Sequence, residues 1–318
     1  MTMARPDLDD ELLTLLGGLS LPTALDAGRL AQLRAYPAAP FDDRGATRRE
    51  FVVPARDGSP LTLTVFTPPA VEPGAPCVYW IHGGGMVMGD RFAQIDIPLD
   101  WLEQLGAVVV TVEYRLAPEV HGVTLVEDCF DGLLWTAAHA AQLGIDPARL
   151  VIAGTSAGGG LAAGVALMIR DGGGPDLAAQ VLIGPMLDHR NRTKSARQYV
   201  TGPATWTRPM NEFGWHAVLG DLVDGADVPI HVSPALAEDL SGLPTTYLDV
   251  GSAEVFRDED IAYAYRIWAA GGQAELHVWS GGCHGFDALF PQARLSVTAR
   301  RTRTAWLGRV FGAVVPNC

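Results

Sequence analysis

Six short, nearly uninterrupted apolar runs, at 77–81, 107–114, 150–154, 178–184, 245–251 and 274–280, most constrain what this chain can fold into. A strand that is apolar on both sides must be covered on both sides, which is the condition of a mostly parallel sheet between helices. Helical patterns at 126–144, 156–173 and 258–272 supply that cover. Ahead of them, 48–54 and 61–68 flank the turn ARDGS and read as an antiparallel hairpin at one edge of the sheet.

Two segments fall outside this alternation. Residues 1–45 carry short helical patterns broken by Pro22, Pro37 and Pro40 and no strand signal, and read as a helical appendage. Residues 191–229 place Trp206, Phe213 and Trp215 among polar residues, again without a strand. They read as an insertion packed over the working edge of the sheet, together with the N-terminal helices. The expected division is a helical cap segment at 1–45 and a catalytic domain at 46–318 that carries the cap insertion.

The apolar run 150–154 ends in Gly154-Thr155-Ser156-Ala157-Gly158, and an apolar helix follows. G-x-S-x-G at a strand-to-helix turn is the pattern of a nucleophile elbow: small flanking residues permit the strained turn that lifts a serine out of the sheet edge. The helix start behind it favours developing negative charge. Gly158, Gly160 and Gly164 also suggest a dinucleotide loop, but their spacing is G-x-G-x-x-x-G and the unit is not the first βα unit of its fold.

A serine hydroxyl needs a base. His284, in the glycine-rich stretch SGGCHGF after the run 274–280, is positioned to serve. The base in turn needs an orienting carboxylate, and Glu254 follows the run 245–251 as Ser156 follows its own strand. Asp258, Glu259 and Asp260 compete for that role, but they open the next helix, where negative charge near the N-terminus accounts for them. Serine, acid and histidine thus occur in the chain order of α/β-hydrolases. The remaining glycines, Gly83-Gly84-Gly85 after the first apolar run, can present backbone amides to an oxyanion. Gly84 and Gly85, joined by the amide of Ala157, are the candidates, and Gly83 is a weaker one. Met86 beside them, with Trp206, Phe213 and Trp215, completes the expected substrate pocket.

With these residues in hand, the chain resembles the hormone-sensitive lipase family of bacterial esterases within the α/β-hydrolase fold, over about residues 50–310. Besides His82-Gly83-Gly84-Gly85 and the elbow, the resemblance rests on Tyr114-Arg115-Leu116-Ala117-Pro118-Glu119, Asp146-Pro147-Ala148-Arg149, Pro185-Met186-Leu187-Asp188 and His284-Gly285-Phe286. It implies Ser156 as nucleophile, His284 as base, Glu254 as acid, and the amides of Gly84, Gly85 and Ala157 as the oxyanion hole, under a cap built from 1–45 and 191–229. Two departures stand out: Thr155 and Glu254 occupy positions where the family often has aspartate, the first of them marking the subgroup with a GTSAGG elbow.

Composition narrows the partner. A formal net charge of −13, with Lys194 as the single lysine, excludes a nucleic-acid partner and an anionic membrane surface as natural readings. No apolar run reaches the roughly 18 residues of a spanning helix, and acidic residues in MTMARPDLDDELL stand where a secretory leader carries basic ones. A cytoplasmic location is expected. Cys77, Cys129, Cys283 and Cys318 lie far apart and suggest reduced thiols, and no histidine pair has metal-ligand spacing, so neither metal nor cofactor is called for. The expected activity is hydrolysis of small, neutral, fairly apolar esters through an acyl-enzyme. The alternatives are a non-catalytic receptor on the same fold, or an amidase or acyl transferase using the same groups. A homodimer stays open.

The glycine loop yields the first test. Gly84→Val restricts the backbone and puts a branched side chain beside the carbonyl. A folded Gly84→Val protein is expected to lose on the order of 10²-fold or more in kcat, the scale of one lost oxyanion donor, and steady-state kinetics checks this.

Overall fold

The computed structural model describes residues 3–36, 40–225 and 227–312, so Pro37 and Cys318 lie outside it. Eight strands form one sheet: β1 (Thr47–Pro54), β2 (Pro60–Thr67), β3 (Ala75–Ile81), β4 (Val108–Glu113), β5 (Ile145–Thr155), β6 (Ala179–Ile183), β7 (Thr246–Gly251) and β8 (Ala274–Trp279). Their order is β1-β2-β4-β3-β5-β6-β7-β8. The hairpin β1–β2 and the β2–β4 pair are antiparallel, and every pairing from β4 to β8 is parallel. The helices are α1 (Asp10–Gly17), α2 (Ala27–Arg34), α3 (Asp96–Leu105), α4 (Thr124–Ala138), α5 (Ala140–Leu143), α6 (Ala157–Gly172), α7 (Lys194–Gln198), α8 (Arg208–Leu219), α9 (Arg257–Ala269), α10 (Phe286–Leu289) and α11 (Arg294–Phe311).

The uninterrupted apolar runs now have their reason. On β3, Cys77, Tyr79 and Ile81 face one buried layer, shared with Leu133 of α4, Leu161 of α6 and Ile267 of α9. Val78 and Trp80 face the opposite layer, formed with Trp101 of α3 and with Trp306 and Leu307 of α11. Side chains alternate across a strand, so a strand covered on both sides must be apolar at every position. Trp80 and Trp101 meet edge to face at 6.0 Å, a favoured arrangement of two ring quadrupoles. Neither α3 nor α11 was marked by the sequence patterns above, and the helix expected over 126–144 divides at His139 into α4 and α5.

The two segments outside the alternation meet each other. Thr207 Oγ1 donates to Thr23 O at 2.7 Å, Arg5 to Thr201 O at 3.0 Å and Gln198 to Ala4 O at 2.5 Å. Asp9 caps α1, accepting the N–H groups of Glu11 and Leu12 at 3.0 and 3.2 Å, and Asp26 caps α2 through Arg29 N–H at 2.7 Å. Arg34, ending α2, donates to Val87 O at 2.6 Å and to Ala117 O at 2.7 Å, and pairs with Glu119 at 2.6 Å. The N-terminal segment is thereby tied to the loop that follows β3.

The acids opening α9 stand in its first turn as expected, but they do more than offer negative charge there. Asp258 accepts Ser195 N–H at 2.7 Å and so holds the start of α7. Glu259 is buried and accepts the amides of Leu187 and Asp188 at 2.9 and 3.1 Å. Asp260 is fully buried, and neither carboxyl oxygen has a partner among the described residues. Burial pushes the Asp260 carboxyl well above the usual carboxylate range, and the carboxyls of Glu259, Glu254 and Asp249 push it the same way.

That environment makes stability fall as pH rises. The folded protein keeps a proton on Asp260 that the unfolded chain releases near pH ~3.9. The resulting stability is complete below that pH and is lost progressively as pH climbs toward the raised native value. Asp260→Asn removes the titration at nearly constant shape. Its melting temperature relative to wild type is expected to improve as pH rises above about 4, with a stability slope no steeper than about 1.4 kcal/mol per pH unit. Thermal melts of both proteins across that range check it.

Candidate active site

Because β3 to β8 run parallel, the turns after β3, β5 and β7 and the loop after β8 all leave the same edge of the sheet, and they bring the candidate residues together. Ser156 lies between β5 and α6 with φ 55° and ψ −122°, a strained backbone for a residue with a side chain. Its N–H donates to Ile183 O at 2.8 Å and its carbonyl accepts Met186 N–H at 3.0 Å, so the end of β6 pins it from both sides. The flanking glycines are required by contact: a Cβ on Gly158 would collide with Ile81 O, and one on Gly154 with the Gly158 backbone.

His284 follows β8 and reaches Ser156 Oγ through Nε2 at 2.8 Å. On its other side Nδ1 lies 2.5 Å from Glu254 Oε2. A carboxylate can only accept, so Nδ1 carries the proton and Nε2 is free to take one from the serine. Glu254 is buried, and its second oxygen accepts Gly251 N–H at 3.0 Å. The extra methylene relative to aspartate is therefore taken up within the turn after β7. Phe256 meets the imidazole edge to face at 5.0 Å.

The glycine loop after β3 is held by side chains. Gly83 N–H donates to Gln94 Oε1 at 3.0 Å, while Gly83 O accepts from His82 Nδ1 at 2.7 Å. His82 is fully buried and stacked on Tyr114 at 4.3 Å, and burial lowers its proton affinity. Gly84 O accepts Val87 and Met88 N–H at 3.1 and 3.0 Å, closing a turn. Gly84 and Gly85 have φ of 119° and 63°. No protein partner takes the N–H of Gly84, Gly85 or Ala157 among the described residues, whereas that of Gly83 is occupied.

A cavity of about 1270 Å³ opens over Ser156, His284 and the glycines. Of the four expected pocket residues, Trp206 lines it; Met86, Phe213 and Trp215 do not. Met86 is buried in the core beneath the loop, and its carbonyl accepts Ala117 N–H at 2.9 Å. The phase of α8 explains the other two. That helix turns Gly214 toward Gly85, where a Cβ would lie 3.0 Å from Gly85 O, and Met210, four residues earlier, lines the cavity. Phe213 and Trp215 flank that face and point aside, Trp215 into full burial beside His189.

Several residues at the site were not singled out from the sequence. Thr205 donates to His284 O at 2.5 Å, and the Trp206 ring packs so close to Gly85 that a Cβ there would lie 2.5 Å from it. Arg303 of α11, fully buried, pairs with Asp249 of β7 at 2.8 Å and with Asp287 of α10 at 2.9 Å, clasping the elements next to Glu254 and His284. Asp249 inside the run TTYLDV was the available signal, since a charge within a buried strand demands a partner. Gln94 and Thr205 carried no such mark. Among the described residues no group of three or more His, Cys, Asp and Glu side chains is arranged to hold a metal ion, and no helix is long and apolar enough to cross a membrane.

Residues 78–288 match the model of a family with an alpha/beta hydrolase fold. The chain is 32% identical over 305 residues to the carboxylesterase NlhH of Mycobacterium tuberculosis, covering 94% of this chain and 95% of that one. It is also 32% identical over 290 residues to the esterase LipI of the same organism, covering 89% and 88%. Among solved structures it is similar to a bacterial heroin esterase, with a TM-score of 0.90, 37% identity and coverage of 96% of this chain and 98% of that one.

The contacts of Glu254 and Asp258 separate their roles. Glu254→Ala leaves the imidazole without its orienter and is expected to cost roughly 10³–10⁴-fold in kcat. Asp258→Asn keeps an oxygen for Ser195 N–H and is expected to leave kcat nearly unchanged, with a stability loss of about 0.3–1 kcal/mol. Kinetics and melting of the two purified variants measure both effects, and the reverse pattern would assign the acid to Asp258.

Proposed function

The chain belongs to the hormone-sensitive lipase family of bacterial esterases within the α/β-hydrolase fold, and on that premise we propose that Ser156, His284 and Glu254 act as its nucleophile, base and acid. The protein is a carboxylic-ester hydrolase. The observation that carries the residue assignment is the unbroken chain from Ser156 Oγ to His284 Nε2 at 2.8 Å and from His284 Nδ1 to Glu254 Oε2 at 2.5 Å.

In this reaction Ser156 Oγ adds to the ester carbonyl carbon as its proton passes to His284 Nε2. Glu254 stabilises the resulting imidazolium, and the oxyanion is held by the amides of Gly84, Gly85 and Ala157. Fixed donors in a site shielded from water need no reorganisation as the charge develops. Collapse breaks the bond to the alcohol, which leaves with the proton from Nε2. A water molecule, deprotonated by the same nitrogen, then adds to the acyl-enzyme, and collapse of the second oxyanion releases the acid and restores Ser156.

The substrate part of the proposal is a small, neutral ester with a short acyl group. Trp206 and Met210 are the apolar wall beside the glycine loop. The cavity lining also includes Arg44, Asp96, Asp100 and Arg300, which neutralise one another through pairs of 2.6 to 3.1 Å and so suit a neutral ester, alongside apolar residues such as Leu21, Phe41 and Leu289. Residues 1–45 and the insertion at 191–229 act as the cap in this reading, supported by their mutual hydrogen bonds and by Trp206. A cytoplasmic location and a homodimer go with the proposal as readings of the sequence alone.

A series of p-nitrophenyl esters tests it. Each methylene that fits adds about 0.8 kcal/mol of burial, and the gain ends where the chain meets the wall. Efficiency is expected to peak within about two to eight acyl carbons, with little turnover of long-chain triglyceride emulsions. Ser156→Ala should sit at background throughout. Equal rates for wild type and Ser156→Ala would favour the receptor.

A further inference from the structure

Gln94 belongs to none of the sequence motifs, yet among the described residues it is the one side chain that engages the N–H groups of the glycine loop. Its own backbone is left-handed, with φ 54°, a conformation that disfavours a residue with a long side chain and persists only where its surroundings demand it. Its carbonyl accepts Ile97 N–H at 3.2 Å at the start of α3. That helix is sunk in the core through Ile97, Leu99, Trp101 and Leu102, so Gln94 stands on a rigid support. From there its side chain extends to the cavity that holds Ser156, and Oε1 accepts Gly83 N–H at 3.0 Å.

We propose that Gln94 is a positioning residue for the oxyanion hole, an inference that rests on the esterase reading above. Three consecutive glycines have no side chains to restrain them, and their amides are useful only if something else fixes the peptide planes. The plane between Gly83 and Gly84 carries the Gly84 N–H. Its carbonyl is tied to His82 Nδ1 at 2.7 Å, and the preceding plane is tied by Gln94 through Gly83 N–H at 3.0 Å. With Tyr114 Oη donating to His82 O at 3.0 Å, these bonds hold both peptide planes that flank Gly83. Gln94 also occupies Gly83 N–H, so that this amide does not turn toward the cavity and draw the oxyanion off its position. The effect on catalysis is indirect, through the placement of two neighbouring donors.

The role is separable from folding. Glycine is at ease at φ 54°, so Gln94→Gly removes the side chain and relieves the backbone strain together, while Gln94→Met keeps the volume and removes the acceptor. Both are assayed with p-nitrophenyl acetate and with a short-chain alkyl trifluoromethyl ketone. Ser156 Oγ adds to the ketone carbon while its proton passes to His284, leaving an oxyanion in the hole. In both variants kcat is expected to fall about 10-fold, less than the 10²–10³ of deleting a donor outright. KM should stay within about twofold, and the ketone's inhibition constant should rise by the same factor as kcat falls. The proposal is overturned if both variants keep wild-type kcat, if kcat falls while ketone binding is unchanged, or if only the melting temperature drops. Wild-type protein that neither hydrolyses the ester nor binds the ketone would sink the esterase reading itself.

Discussion

The left-handed backbone at Ser156, with φ 55°, is the constraint around which the site is assembled. A serine holds that conformation only if the chain on either side is fixed, and the fixing comes from close backbone contact. Gly158 lies against the carbonyl of Ile81, Gly154 against Gly158, and the Ser156 peptide against Ile183 and Met186. These contacts lock β3, β5, β6 and α6 into one spacing. The same spacing brings the glycine loop after β3 alongside Ser156, because Gly83 has no room for a Cβ between itself and Thr155. A methyl group at any of these glycines would move the hydroxyl or the amides by tenths of an ångström, which is where rate is lost.

Polar groups behind the site are arranged by the opposite logic. Arg303 reaches Asp249 and Asp287 in full burial, an arrangement costly to desolvate and costlier to break, since removing one partner leaves a buried charge. It joins α11 to β7, 54 residues away in the chain, and to the neighbouring α10; Glu254 follows β7 and His284 precedes α10. Arg34 performs a similar service in front, binding the carbonyls of Val87 and Ala117 from the N-terminal segment. Thr205 and Trp206, adjacent in the chain, touch the histidine loop and the glycine loop respectively. The insertion, the histidine loop and the glycine loop are thus mechanically coupled through short contacts, and Asp260, buried with no partner among the described residues, is a place where that packing costs stability.

The parallel sheet and its edge hairpin were legible in the sequence because burial on both faces writes itself into every position of a strand, and the elbow was legible because its glycines are contiguous with the serine. His284 and Glu254 were found through chain order and their places after apolar runs, and they stand within hydrogen-bond reach of one another. Helices α3 and α11 escaped notice. The first is only ten residues long and carries Pro98 in its first turn, and the second is rich in arginine, although both bury tryptophans.

What the sequence by itself determined is whatever depends on neighbours along the chain: the strand alternation, the strained turn, the run of glycine amides, and the chain order of Ser156, Glu254 and His284. What only the tertiary structure decided depends on groups brought together from far apart. Trp206 faces the cavity while Trp215 and Phe213 do not, because the phase of α8 is set by Gly214 packing on Gly85. Gln94 reaches Gly83 across a turn whose shape no local pattern announces. Arg303 meets Asp249 54 residues away. Local preference selects the elements, but which side chains meet is settled by how the elements pack, and packing is a property of the whole chain at once.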